Sequence, residues 1–170
     1  MGTDPRVTVD GIQVAVFGST GSTVWAQIPW EIAAPKSVFV SLDDGSPFEI
    51  LGVTAKVRPQ SIAIWNGPLH QDWSGLIWEG SPAHRGEVVH LYLTGLGPVQ
   101  PPVNTGDPGP SDPPALVTAS VQCNLPIRFV GLAPGLIGFY QLDVQIPDTG
   151  NGAVELSCFD WPAFTIPTRP

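Results

Sequence analysis

Apolar and polar residues alternate in short segments along most of the chain. Val7-Thr8-Val9 runs into Asp10-Gly11, a dipeptide suited to the positive-φ turn of a two-residue hairpin. Ile12, Val14 and Val16 then fall on one face of a segment ending at Phe17. Val24 to Ile28 stops at Pro29, and Val38, Val40 and Leu42 share a face ahead of Asp43-Asp44-Gly45. Phe48 to Leu51 and Ser61 to Trp65 follow. Successive strand side chains point to opposite faces, so this period-two pattern is what half-buried strands require. The clearest case is Gly86 to Thr94, with Val89, Leu91 and Leu93 on one face and Val88, His90 and Tyr92 on the other. Leu116 to Val121, Ile127 to Val130, Phe139 to Ile146, Ala153 to Phe159 and Ala163 to Ile166 complete the set. Between them, 66–85 is rich in turn residues, and 95–114 is dense enough in Gly and Pro to be loop. Strands every 8–12 residues or so with Gly/Pro punctuation predict an all-β sandwich or barrel.

The pattern also repeats. Val14 to Gly18 parallels Pro126 to Gly131, Trp25 to Pro29 parallels Asp143 to Pro147, and Ser37 to Leu42 parallels Ala153 to Cys158. Pro47 to Ile50 parallels Pro162 to Ile166. Preserved order argues for two copies of one unit. The expectation is tandem immunoglobulin-like β-sandwiches. Residues 1–58 form a first unit incomplete at its N-terminus, 59–85 a connector strand and turn-rich linker, and 86–170 a complete sandwich. The second copy is preceded by the 86–94 strand, and the first has no counterpart. A core face of the first unit is therefore left to be covered by residues 53–65, by an adjoining unit or by a strand from another chain.

Composition narrows the classes. Nineteen glycines and 20 prolines, about twice the usual combined share, leave little room for long helices. Charged residues are 13% of the chain and the formal net charge is -8. Such a surface repels nucleic-acid backbones and anionic membranes. No apolar run is long enough to span a bilayer, which predicts no membrane insertion. Met1 to Asp4 lacks the basic and apolar regions of a signal peptide. The chain then reads either as cytoplasmic or, preferably, as part of a longer exported protein. Cys123 and Cys158, the two cysteines, form a candidate disulfide whose alternative is two buried thiols. No Cys/His cluster predicts zinc.

Candidate chemistry is sparse. Gly18 to Ser22 has the residues of a nucleophile elbow in the wrong spacing and reads as a loop. His70, His84 and His90 form no metal-ligand pair and read as surface or loop histidines, with His90 best placed for a site. Asp43-Asp44-Gly45 with Asp10 or Asp4 would suit calcium, but a tight turn is the simpler reading. Nothing selects a nucleophile–base set, so the expectation is a non-enzyme without cofactors. Six tryptophans stand out. Trp65, Trp73 and Trp78 cluster in the connector, where they pack the junction between units, contact a protein, or stack on sugars.

Leu91-Tyr92-Leu93-Thr94-Gly95-Leu96-Gly97-Pro98, Gly131-Leu132-Ala133-Pro134-Gly135 with Gly138 to Pro147, and Gln27-Ile28-Pro29-Trp30-Glu31 together resemble the Solibacter-type uncharacterised C-terminal domain family of large secreted acidobacterial proteins. The resemblance spans roughly residues 7–166. It implies a C-terminal module of an exported protein and immunoglobulin-like strands similar to transcription-factor-type immunoglobulin domains. It implies no catalytic residues. Val121-Gln122-Cys123-Asn124 departs from the Gly-Gly turn of that pattern. The combined expectation is a structural or adhesive module, secreted or at the cell surface, working through a protein partner or self-association. Its rivals are a carbohydrate-binding module using the connector tryptophans and a filament subunit completed by a donated strand.

Overall fold

The computed structural model describes residues 6–20, 23–32, 36–43, 53–57, 62–148, 152–158 and 163–169. Among them every regular element is a strand: β1 (Arg6–Val9), β2 (Ile12–Val14), β3 (Val16–Ser19), β4 (Val24–Ala26), β5 (Lys36–Asp43), β6 (Val53–Val57), β7 (Ala63–Ile64), β8 (Ala83–His84), β9 (Val88–Thr94), β10 (Val99–Gln100), β11 (Leu116–Val117), β12 (Ile127–Leu132), β13 (Tyr140–Gln145), β14 (Gly152–Leu156) and β15 (Phe164–Arg169). The protein is all-β, built from several antiparallel sheets, in an arrangement consistent with a β-sandwich. The sequence segment Phe48 to Leu51 lies outside the described residues.

The N-terminal sheet has the order β2-β1-β5-β6. Its β1–β2 turn is Asp10-Gly11, with φ of 49° and 81°, the geometry a two-residue hairpin needs. The Asp10 carboxylate also accepts the Phe39 N–H at 2.7 Å, tying the turn to β5. Val7, Val9, Val14 and Val38 are buried on one face, and Val16, Val24, Ala26 and Ile32 pack over them. The β3–β4 hairpin therefore covers that face from within the chain. Ile12 and Val14 share a face, opposite Val9 and Val7, but Val16 does not continue it as the alternation predicts. The chain leaves the sheet at Ala15, whose carbonyl accepts the Gln27 N–H, so Val16 begins a strand in a different sheet.

The C-terminal part has a six-stranded sheet, β10-β11-β12-β13-β9-β7, and a three-stranded one, β14-β15-β8. Val89, Leu91 and Leu93 of β9 and Leu142 and Val144 of β13 are fully buried in one core with Leu156 and Ile166 of the smaller sheet. Removing such side chains from water stabilises the fold by about 1.5–3 kcal/mol each. The connector pairs with this part at both ends. Ile64 sits opposite Leu93, Leu69 bridges to His90, and β8 runs parallel to β15. The loop at 95–114 contains a short strand, β10, because Val99 and Gln100 pair with β11.

The two parts meet at a defined junction. Phe17 packs against Phe139 with centroids 5.4 Å apart, and Trp30 meets Tyr140 edge-on at 5.9 Å. The Gly106 N–H donates to Gln27 Oε1 at 3.0 Å. The Trp30 N–H donates to Thr105 Oγ1, whose hydroxyl donates to Glu31 Oε2 at 2.6 Å. That hydroxyl holds the Glu31 carboxyl below its ordinary range.

Candidate functional site

Cys123 and Cys158 form a disulfide with Cα atoms 4.1 Å apart. It joins the loop before β12 to the segment after β14. Asn124 reinforces the link: its N–H donates to the Ser157 carbonyl, and its side-chain oxygen accepts the Ser157 N–H at 2.8 Å. This is a clamp between two sheets.

Trp65, Trp73 and Trp78 are 54%, 50% and 63% exposed. The Trp65 N–H donates to the Tyr92 carbonyl, and its ring meets Phe139 edge-on at 5.0 Å, so it borders the junction. Trp73 sits in the His70–Gly75 turn at φ 62°, a left-handed conformation that bulky residues rarely adopt. The turn is held by the Trp73 N–H to the His70 carbonyl and the His70 N–H to the Gly75 carbonyl. Its indole lies flat on the His90 ring, centroids 4.0 Å apart and planes 2° from parallel. Tyr92 is 5.9 Å away. Trp78 and Ser81 exchange backbone hydrogen bonds across the Glu79-Gly80 turn, and the Trp78 ring lies over Gly80. Trp161 lies outside the described residues.

Beneath Trp73 is a buried polar ladder on the sheet face opposite the core. His90 Nδ1 is 2.7 Å from Asp143 Oδ1, and Gln141 Nε2 donates to both oxygens of the same carboxylate at 2.9 and 3.0 Å. His90 Nε2 faces the Gln71 carbonyl at 3.2 Å. The ladder follows from register, since β13–β9 pairing sets Asp143 opposite His90 and Gln141 opposite Tyr92. Burial, then the Asp143 charge, pushes the Tyr92 hydroxyl above its ordinary range.

A cavity of about 640 Å³ opens on the other side of the same turn, lined in part by His70, Ser81, His84, Glu87 and Arg169. Glu87 organises it. Its Oε2 accepts the His84 N–H at 2.6 Å, and its Oε1 accepts the Gln71 N–H at 2.9 Å and faces His70 Nδ1 at 2.8 Å. Burial pushes the Glu87 carboxyl up, but these N–H donors outweigh it and hold the group below the ordinary glutamate range. His70 Nε2 lies 3.0 Å from Ser81 Oγ and 3.2 Å from the Ser81 carbonyl. Arg169 Nη2 donates to His84 Nε2 at 2.8 Å.

His70 and His90 are thus buried and carboxylate-paired; of the surface-or-loop reading, the surface part fits His84 alone, and His70 lies in a loop. Ser81, Glu87, Asp143 and Gln141 had no signal in the sequence, because their partners come from turns and from strands distant along the chain. Among the described residues no group of three or more His, Cys, Asp or Glu is placed to hold a metal ion, and no helix is long and apolar enough to cross a membrane. Asp4, Asp44 and Gly45 lie outside the described residues. Comparison with protein-family models, with curated proteins and with solved structures finds no match.

Proposed function

We propose that this chain is a module of a secreted or cell-surface protein that acts by contact through its connector surface. The carrying observation is Trp73. Its indole is half exposed yet fixed flat on His90, which the Asp143–Gln141 ladder holds in turn. A rigid aromatic with an open face is the usual anchor of an interface, because little side-chain entropy is lost when a partner covers it. Trp65 and Trp78 are further exposed tryptophans on the same connector. Protein contact, including contact between copies, is the first reading. A sugar ring is the second, favoured by the polar Gln71 and Asp72 that share the Trp73 turn and by the stacking geometry an indole offers.

Tandem immunoglobulin-like units are the architecture that goes with this reading. Support comes from the repeat: its first two segments fall at the β3–β4 hairpin and again at β12–β13, and its third segment falls in hairpin β5–β6 and again in β14–β15. The β3–β4 cover over the N-terminal core favours a compact module over a filament subunit awaiting a donated strand. Sedimentation over a range of concentrations, with tryptophan fluorescence against a glycan panel, tests the proposal. Association or quenching should occur in the wild type and be lost in Trp73→Ala. A module that stays monomeric and whose fluorescence no glycan shifts defeats it.

A further inference from the structure

We infer that Ser81, His70 and Glu87 form a hydrolytic acyl-transfer site that opens a small carboxylic ester within the adjoining cavity. This goes beyond the contact reading and does not rest on it. Three observations converge. Ser81 Oγ is 3.0 Å from His70 Nε2, within reach for a nucleophile and its base. His70 Nδ1 is 2.8 Å from Glu87 Oε1, so the ring donates its Nδ1 hydrogen to a carboxylate, and in the neutral ring Nε2 then carries the lone pair that takes the hydroxyl proton. Glu87 is itself pinned by the backbone N–H groups of His84 and Gln71, which fixes the base from behind as a serine triad requires. Ser81 closes the tight Glu79-Gly80 turn, and both it and His70 line a cavity of about 640 Å³, room for a small ester.

The chemistry follows from these atoms. Ser81 Oγ attacks the ester carbonyl carbon, forming a C–O bond as its proton passes to His70 Nε2. The Ser81 carbonyl, 3.2 Å from the same nitrogen, is placed to accept the N–H so formed. Arg169 also lines this cavity, with its guanidinium donating to His84 Nε2. Collapse of the tetrahedral intermediate breaks the bond to the alkoxide, which leaves as the alcohol with the proton from His70. Water then attacks the acyl-serine, its proton passing through His70 to Ser81 Oγ, and a carboxylic acid is released. Ser81 and His70 are the catalytic residues, and Glu87 is a positioning residue.

The test is labelling of the intact, disulfide-bonded chain with a fluorophosphonate probe, mapped by mass spectrometry, together with hydrolysis of p-nitrophenyl acetate. The expected adduct is on Ser81. It should vanish in Ser81→Ala, and ester hydrolysis should fall at least about a hundredfold in His70→Gln. Glu87→Gln should lower kcat with KM unchanged and alter the pH–rate profile, which a merely structural carboxylate would not do. Circular dichroism of each variant separates lost chemistry from lost fold. A folded wild type without a Ser81 adduct, or equal labelling in folded His70→Gln, overturns the assignment.

Discussion

Asp143 shows how much rests on one buried carboxylate. Its oxygens take His90 Nδ1 and both contacts from Gln141 Nε2, and all three side chains are nearly inaccessible. Asp143→Ala leaves two buried donors without an acceptor, each costing about 1–3 kcal/mol. We expect a loss of about 3 kcal/mol in urea unfolding, with a change in Trp73 fluorescence as the His90 ring loses its anchor. Trp78→Ala, at the most exposed of the described tryptophans, should shift stability by no more than about 0.5 kcal/mol. Glu87 adds a pH dependence. Its folded carboxyl is held below the ordinary value, so its stabilising contribution is complete above the unfolded carboxylate range and is lost as pH falls through the folded value. Acid titration of the wild type should loosen the connector in that window, and Glu87→Gln should remove the corresponding step in the fluorescence profile.

At the scale of elements, the Cys123–Cys158 link joins the loop before β12 to the segment after β14, elements of different sheets. The cysteines are 35 residues apart, and closing a loop of that size removes about 4 kcal/mol of unfolded-state freedom in the chain-entropy model. Reduction, or Cys158→Ala, should lower stability by up to that amount, read as the difference in urea midpoint with and without a reductant. The cysteine pair is a candidate in the sequence, but only the approach of β14 to the loop before β12 turns it into a bond. β9 was legible for a simpler reason. From Val89 to Thr94 its apolar residues recur at every second position, and Val89, Leu91 and Leu93 sit at zero exposure. Asp10-Gly11 was legible because its turn type depends on those two residues alone. In the connector, β7 falls inside the Ser61 to Trp65 segment, but β8 was not legible: it is a two-residue strand held by backbone pairing to β15, and backbone pairing leaves no side-chain pattern to read. The same holds for the His70 and His90 sites, whose carboxylate partners arrive through a turn and through a strand 53 positions away.

For the whole molecule, the question is what holds the N-terminal sheets in place. Among the described residues their buried core is four valines, and a small core removes little surface from water. The C-terminal core is far larger, so the N-terminal part should draw stability from the junction. Gly138 is the sensitive point. It has φ of 71°, and a Cβ built there would lie 2.9 Å from the Phe17 ring and 3.4 Å from Gln27. Gly138→Val therefore combines a left-handed β-branched residue with a clash against the ring that packs on Phe139. The clash falls on the Phe17 and Gln27 side, leaving Val89, Leu91, Leu142 and Val144 untouched. Limited proteolysis should cut the N-terminal segment of this variant first while a disulfide-linked C-terminal fragment persists, and the wild type should resist both cuts under the same conditions. Simultaneous digestion of both parts in the variant would mean that the two cores unfold as one cooperative unit, and that the junction is as strong as either core.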